Sequence, residues 1–146
     1  MKRILGLDFG SKTVGVAVTD PLGFTPQGVE IIRRTSENKL RKTCARIEEL
    51  IAAYDIGKIV MGLPLNMNGE EGERAEKTRE FAAMLERRTG LAVTLIDERL
   101  TTVEADEIMD ELNIKKQDRK KYVDEIAAMV ILQDYMRDAE LRGTSE

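Results

Sequence analysis

The chain has 146 residues, of which 42% are hydrophobic and 34% are charged, and its formal net charge is −4. This size suits one globular domain whose core needs no structural crosslink. With no histidine and one cysteine, the chain can have neither a histidine-based catalytic triad nor a Cys/His zinc site. Hydrolysis near neutral pH would therefore depend on carboxylates, lysine, tyrosine, hydroxyls or a metal held by oxygen ligands.

The first third of the chain predicts a β-hairpin, a third strand and a helix. Two apolar runs at 4–10 and 13–20 flank Ser11 and Lys12, a pattern typical of a hairpin. A third strand is expected over 28–33. From 38 to 55, apolar residues recur at steps of three and four, which predicts a helix whose buried face includes Cys44.

The rest of the chain alternates between strands and helices. A strand is predicted at 58–61, a helix at 73–89 and a strand at 91–96. Thr101 and Glu104 then form a capping-box pattern that starts a helix to about 112. A last helix is predicted at about 121–138, followed by a polar tail at 139–146. This order predicts a single α/β domain over 1–138, with a mixed sheet and helices on both faces.

The location of the protein is predicted from what the chain lacks. A single cysteine cannot form an intrachain disulfide, and Asp8 interrupts the first apolar run too early for a signal peptide. No stretch approaches the roughly 18 uninterrupted apolar residues of a membrane span. We therefore expect a cytoplasmic protein.

Acidic residues occur at three places in the chain where a carboxylate is unexpected in an apolar element or where a ligand-binding residue is common. Asp8 lies within an apolar strand, where an unpaired carboxylate is costly to bury. Asp97 and Glu98 close a later strand, but alternation sends them to opposite faces without saying which one is functional. Asp124 and Glu125 both have apolar neighbours at helical spacing, so periodicity does not choose between them either.

One acid from each position, if they converge, would form an oxygen-only site suited to one or two Mg²⁺ or Mn²⁺ ions. Such ions support in-line attack of water on a phosphodiester without histidine. The structural alternatives are that Asp8 opens a turn and that the helix acid only complements the helix dipole.

Basic residues form two islands in this acidic chain. Residues 33–46 carry a local charge of +5 and residues 115–121 a local charge of +4. These islands predict either a phosphate-binding surface or a solvated face. Aromatic residues make up only 4% of the chain, so base stacking is not expected. The candidate nucleic-acid contacts are Lys12, Arg33, Arg34, Arg41, Lys42, Arg99, Lys116, Lys120 and Lys121, although Arg99 has an alternative role as the partner of Asp97.

Four ordered motifs resemble the YqgF family over about residues 3–136. They are LDFGSKTVGVA at 7–17, GLP at 62–64 with NMNG at 66–69, DERLTT at 97–102 with Ala105, and Val123-Asp124 followed by Ala127-Ala128 and Ile131-Leu132. Members of that family are described as Holliday junction resolvases and as nucleases of precursor small-subunit ribosomal RNA.

The resemblance implies an RNase H-like fold and a catalytic, metal-binding trio at Asp8, Glu98 and Asp124. It also implies divalent-metal phosphodiester hydrolysis in the bacterial cytoplasm. One departure from the family is the acidic loop with Glu70, Glu71 and Glu73, whose charges would repel phosphate, with Arg74 compensating in part.

The leading hypothesis is a metal-dependent nuclease that matures the 5′ end of precursor 16S ribosomal RNA, as a monomer or weak homodimer, alone or alongside the ribosome. The alternative within this class is a resolvase of branched DNA, which normally acts as a symmetric dimer. Two other classes compete. An actin-like nucleotide-binding domain is suggested by residues 8–13, which resemble a phosphate hairpin, and a non-catalytic nucleic-acid-binding module would bind without turnover.

Overall fold

The computed structural model describes residues 2–66, 68–98 and 102–141. These residues form strands, helices and one short 3₁₀ turn in the order expected from the sequence. The strands are β1 (Arg3–Phe9), β2 (Thr13–Thr19), β3 (Pro26–Arg33), β4 (Ile56–Pro64) and β5 (Val93–Glu98). The helices are α1 (Arg41–Ala53), α2 (Glu73–Thr89), α3 (Thr102–Glu111) and α4 (Arg119–Leu141), with the 3₁₀ turn at Lys116–Asp118.

The strands form one mixed sheet in the order β3-β2-β1-β4-β5. Strand β2 is antiparallel to its neighbours β1 and β3, whereas β4 is parallel to β1 and β5 is parallel to β4. The ends of β1, β4 and β5, the start of β2 and the end of β3 therefore meet at the same edge of the sheet. We call this edge the carboxyl edge.

Both faces of the sheet are covered by helices, as predicted. Leu5, Leu7 and Phe9 of β1 pack with apolar side chains of α1 and α2, including Cys44 and Phe81. On the opposite face, α4 covers the sheet with Ala128, Ile131, Leu132 and Tyr135. Since successive strand residues point to opposite faces, Asp8 lies on the α4 face.

Several predicted boundaries differ from the structure. Strand β3 begins at Pro26 rather than 28, and β4 is longer than 58–61 because it pairs with β1 on one side and with β5 as far as Pro64 on the other. Helix α1 begins at Arg41 rather than 38. Helix α4 continues to Leu141, so 139–141 belong to a helix rather than to the polar tail, and Ala139 is buried.

Two further predictions concern the chain around β5 and the membrane. Thr101 of the predicted capping box lies outside the described residues, as does the side chain of Glu104. None of the helices in the described ranges is long and apolar enough to cross a membrane.

Candidate active site

Asp8 and Glu98 reach the carboxyl edge from two strands of the parallel part of the sheet. Asp8 is the penultimate residue of β1, and Glu98 is the last residue of β5. The carboxyl ends of parallel strands are where ligands of open α/β sheets bind.

The face of the sheet distinguishes Glu98 from Asp97. Ile96 packs with the α4 cluster, and alternation places Glu98 on that same face. Asp97 therefore points to the opposite face, where it is exposed. The packing of Ile96 against α4 therefore shows that Glu98, and not Asp97, lies on the same face as Asp8.

Gly62 lets Glu98 approach Asp8 across the strand that separates them. Strand β4 lies between β1 and β5, so a side chain on β4 at this level would stand between the two acids. A Cβ atom at Gly62 would lie 2.7 Å from Oε2 of Glu98. The carboxyl of Glu98 instead uses this space and forms a side-chain hydrogen bond with Asp8.

Asp124 is held beside this pair by contacts with the hairpin. Oγ1 of Thr13 donates a hydrogen bond of 2.9 Å to Oδ2 of Asp124. Gly15 of β2 makes room for the α4 backbone, since a Cβ atom there would overlap the carbonyl of Asp124. The negative charge of Asp124 raises the pKa of both Asp8 and Glu98.

Glu125 points to a different part of the sheet. Its side chain packs over Gly28 of β3, where a Cβ atom would lie 2.9 Å from its Cγ. Burial raises the pKa of this half-buried carboxyl. Of the two acids that helical periodicity could not separate, Asp124 is therefore the one beside the Asp8–Glu98 pair.

Burial dominates the electrostatics of the two strand acids. Burial first, and then the charge of Asp124, raise the pKa of Asp8 to about 6, against the opposing effects of the hydrogen bond with Glu98 and of the charge of Arg74. Burial, followed by the charge of Asp8, raises the pKa of Glu98 to about 8. Near neutral pH the pair therefore retains a proton, which a bound cation could replace.

The donor chemistry of this site fits a hard divalent cation, because carboxylate oxygens are the ligands that Mg²⁺ and Mn²⁺ prefer. Within residues 2–66, 68–98 and 106–139, however, no three acidic or cysteine side chains are close enough together to hold one ion. The structure thus joins Asp8 to Glu98 by a hydrogen bond and places Asp124 within electrostatic range of both, without closing a three-ligand cluster.

Several of the predicted nucleic-acid contacts follow the strand ends at this edge, and the others lie just before α4. Lys12 is exposed in the turn between β1 and β2, and Arg33 is exposed at the end of β3. Arg41 and Lys42 are exposed in the first turn of α1, which follows that strand. Of the second island, Lys116, Lys120 and Lys121 are exposed, and Lys120 and Lys121 precede Asp124 by one helical turn. Arg34 is half-buried, and Arg99 lies outside the described residues.

The position of Arg74 near Asp8 was not predicted from the sequence. There, Arg74 was expected only to offset part of the negative charge of the acidic loop. In the structure, Nη2 of Arg74 donates to the carbonyl oxygen of Phe9 at 3.3 Å, one residue from Asp8. The charge of Arg74 also opposes the rise in the pKa of Asp8. No local sequence pattern indicates this contact, because Phe9 and Arg74 lie on separate elements.

Comparisons with known proteins agree on one family. A family model described as "RuvX: Holliday junction resolvase" matches residues 2–138. A protein of Agathobacter rectalis named "Putative pre-16S rRNA nuclease" is 65% identical over 134 residues, covering 92% of this chain and 94% of the relative. A protein of the same name from Listeria monocytogenes is 49% identical over 134 residues, covering 92% and 96%.

Solved structures show the same fold at low sequence identity. RuvC of Thermus thermophilus has a TM-score of 0.62 and 13% identity, covering 97% of each chain. The fowlpox virus Holliday junction resolvase has a TM-score of 0.54 and 13% identity, covering 93% of this chain and 98% of the other. The expected fold of the RNase H type is therefore confirmed.

Proposed function

The chain belongs to the RuvX family, and from this premise we propose that it is a divalent-metal-dependent nuclease that hydrolyses phosphodiester bonds of precursor 16S ribosomal RNA. We take residues 1–138 as one nuclease domain that works in the cytoplasm as a monomer or weak homodimer. The relatives with the highest identities described above are named for this substrate, which favours it over branched DNA.

The observation that carries this proposal is the hydrogen-bonded pair of Asp8 and Glu98, with Asp124 beside it, at the carboxyl edge. Buried carboxyl groups at such spacing destabilise one another unless a proton or a cation lies between them. Perturbed pairs of this kind are typical of active sites. The exposed lysines and arginines around the edge supply the positive charge that a phosphate backbone needs.

In the mechanism that we propose, Asp8, Glu98 and Asp124 hold one or two Mg²⁺ or Mn²⁺ ions. When bound, such ions supply positive charge to the attacking and leaving oxygens of the phosphodiester. Thr13 orients Asp124 through its hydroxyl hydrogen bond, and Gly62 leaves space for Glu98 to meet Asp8.

The basic residues would orient the substrate rather than react with it. Lys12 and Arg33 flank the carboxylates on the hairpin side of the carboxyl edge. Lys120 and Lys121 stand one turn before Asp124 on α4. Contacts of this kind position the strand but carry no sequence information, so we propose that specificity comes from RNA shape or from a ribosomal particle.

A second candidate function is resolution of Holliday junctions. It is favoured by the description of the matching family model and by the fold shared with RuvC. A resolvase cuts two opposed strands and therefore needs a symmetric dimer. Cleavage of precursor RNA by a monomer would support the first candidate, whereas cleavage of a four-way DNA junction by a dimer would support the second.

The substitution Asp8→Asn tests the nuclease proposal directly. It should lower the cleavage rate by at least about 100-fold, since it removes a charged oxygen ligand, and should leave nucleic-acid affinity within about threefold. Rates and affinities are to be measured with precursor RNA and with a DNA junction, in Mg²⁺ and in Mn²⁺.

Asp97→Asn is the matched control, because it removes a neighbouring carboxylate from the opposite face of β5. Cleavage should survive this change. An Asp8→Asn protein that cleaves at the wild-type rate would refute the proposed active site. Binding without turnover by the wild-type protein in either metal would instead identify a non-catalytic module.

A further inference from the structure

Two arginines from distant elements converge on one ring next to the carboxylates. The guanidinium carbon of Arg34, just after β3, lies 4.9 Å from the centroid of the Phe9 ring, and that of Arg74, in the first turn of α2, lies 5.6 Å from it. Phe9 is itself stacked on Phe81, with ring centroids 4.2 Å apart. The arginines therefore rest on a rigid aromatic platform that follows Asp8 in the chain.

Main-chain carbonyls fix both guanidinium groups at this place. Nη2 of Arg34 donates to the carbonyl of Gly10 at 2.6 Å, and Nη2 of Arg74 donates to the carbonyl of Phe9 at 3.3 Å. Both acceptors lie within two residues of Asp8. The two positive charges are thus fixed at the carboxyl edge, on the α1 and α2 side of the sheet, and that of Arg74 is near enough to oppose the rise in the pKa of Asp8.

The cluster has more positive than negative charge. Oε1 of Glu37 accepts from Nη1 of Arg74 at 2.6 Å and from Nζ of Lys77 at 3.0 Å. Glu73 also lies 3.5 Å from Nζ of Lys77, so two carboxylates face three cations when Arg34 is included. Burial and the nearby charge of Arg74 lower the pKa of Arg34, as expected for like charges brought together.

One donor of the cluster is unused. Nη1 of Arg34 is buried and has no hydrogen-bond partner among the described residues. A buried charged donor without an acceptor is unfavourable, and such atoms in native proteins call for an explanation such as an absent ligand. A phosphate oxygen is the acceptor that best suits a guanidinium fork, and because Nη1 is buried here, phosphate binding would require the Arg34 side chain to shift towards solvent.

The acidic residues around the start of α2 cancel this positive charge only in part. Glu71 forms a two-pronged ion pair with Arg79, and Glu73 lies 3.5 Å from Lys77. Two of the three loop acids that would repel phosphate are therefore paired with cations. Arg74, at the end of the loop, turns the other way, towards Phe9.

We propose that Arg34 and Arg74 form a phosphate subsite that binds the substrate strand at a backbone phosphate next to the one cleaved at Asp8 and Glu98. This inference rests on the proposed nuclease function and adds a binding site to it. The two arginines are positioning residues, because they lie beside the carboxylates and contact none of them through a hydrogen bond that the structure shows.

The test compares Arg74→Gln with Arg79→Gln. Both arginines lie on α2 and both changes remove one positive charge, but Arg79 is paired with Glu71 and contacts neither Phe9 nor Gly10 among the described residues. Affinity for a labelled precursor-RNA fragment is measured by anisotropy between 50 and about 200 mM salt, a range over which phosphate contacts dominate the response. All proteins carry Asp8→Asn, so that bound RNA is not cut.

Arg74→Gln should weaken binding about 10-fold and lower the slope of log affinity against log salt by about 0.7 to 0.9, the value for one lost phosphate contact. Arg79→Gln should change affinity less than about twofold. Arg34→Lys should keep most of the slope while weakening binding, because lysine retains the charge but lacks the guanidinium fork. Melting temperatures show whether each variant is folded.

Equal slopes for Arg74→Gln and Arg79→Gln would overturn the subsite, as would a loss of melting temperature in Arg74→Gln with unchanged affinity. Either result would leave the nuclease proposal intact, because that proposal is tested by cleavage. A wild-type protein that binds neither RNA nor a DNA junction would instead refute the nuclease proposal itself.

Discussion

Asp8 and Glu98 are two buried carboxyl groups that share one hydrogen bond, and burial and the negative charge of Asp124 disfavour a second negative charge on the pair. Their pKa values, about 6 and about 8, lie above the ordinary values of 3.8 and 4.5. The folded protein therefore binds more protons than the unfolded chain between about pH 4 and pH 8. Stability from this pair is complete below pH 4 and is lost as the pH rises through these values.

We expect the metal-free protein to lose on the order of 3 kcal/mol of stability from the ionisation of Glu98 between pH 5 and pH 8. For a chain of this size, that loss lowers the melting temperature by roughly 6 to 12 °C. Thermal unfolding of wild-type protein and Glu98→Gln in EDTA measures it as the difference between the two pH profiles. The glutamine variant should show the flatter profile.

Added Mg²⁺ should reverse this loss, because a cation binds the ionised pair and not the protonated one. The rise in melting temperature on adding Mg²⁺ should therefore be larger at pH 8 than at pH 5. Asp97→Asn provides the control and should behave like the wild type. Matching pH profiles for wild type and Glu98→Gln would show that the pair does not share a proton.

At the residue scale, the sequence identified Asp8 because an acid within an apolar strand is unusual. It could not choose between Asp97 and Glu98, since that choice depends on which face of β5 meets α4. It also missed the joint position of Arg34, Glu37 and Arg74. Their contact depends on how β3 and α2 are placed around β1, which no local pattern encodes.

Helix α4 is the element that brings the third acid to the sheet. Its backbone at Asp124 lies so close to β2 that only glycine fits at position 15. A Thr13 hydrogen bond then fixes the carboxylate of Asp124. The site therefore requires this close approach of α4 to β2. The approach is possible only because position 15 is a glycine, which has no side chain.

Gly15→Ala should push the start of α4 away from the sheet. Because the new methyl group would overlap main-chain atoms, which cannot swing aside, we expect a loss of about 1–3 kcal/mol in the free energy of unfolding. Asp124 moves with the helix, so the cleavage rate of the folded protein should fall by at least about 10-fold. This loss is larger than the fraction of unfolded protein can explain. Denaturant unfolding and cleavage rates measure the two effects.

Gly57→Ala is the matched control, at the start of β4 and therefore at the opposite end of the sheet from the acids. A Cβ atom there would lie 2.7 Å from Cβ of Lys2, so this variant should also lose stability. Its cleavage rate should nevertheless stay close to that of the wild type. If Gly15→Ala cleaved as fast as Gly57→Ala, the close approach of α4 would be irrelevant to the site.

At the element scale, the predictions were best for hydrophobic periodicity and weakest at element ends. The apolar stripe around Cys44 and the hairpin are both present. The extension of α4 to Leu141 was missed because its last turns look polar in sequence, although Ala139 is buried. The length of β4 was missed because its ends are set by pairing with β1 and β5.

The whole molecule separates its charges in a way that the net value of −4 conceals. The first basic island begins where β3 reaches the carboxyl edge, and the second leads into α4 just before Asp124. Within these islands, Arg46 pairs with Glu30 and Arg119 pairs with Asp110, so not every basic residue is available to phosphate. The remaining cations of both islands are available to bind phosphate.

In the function that we propose, Asp8, Glu98 and Asp124, more than 20 residues apart from one another in sequence, together hold a divalent cation. The most direct test is a crystal of the protein soaked in Mn²⁺ and measured at the manganese absorption edge. We predict an anomalous peak about 2.1 Å from carboxylate oxygens of all three residues, with Asp124 drawn towards the strand pair. Manganese bound only elsewhere, with Asp8 and Glu98 still sharing their hydrogen bond, would contradict the account.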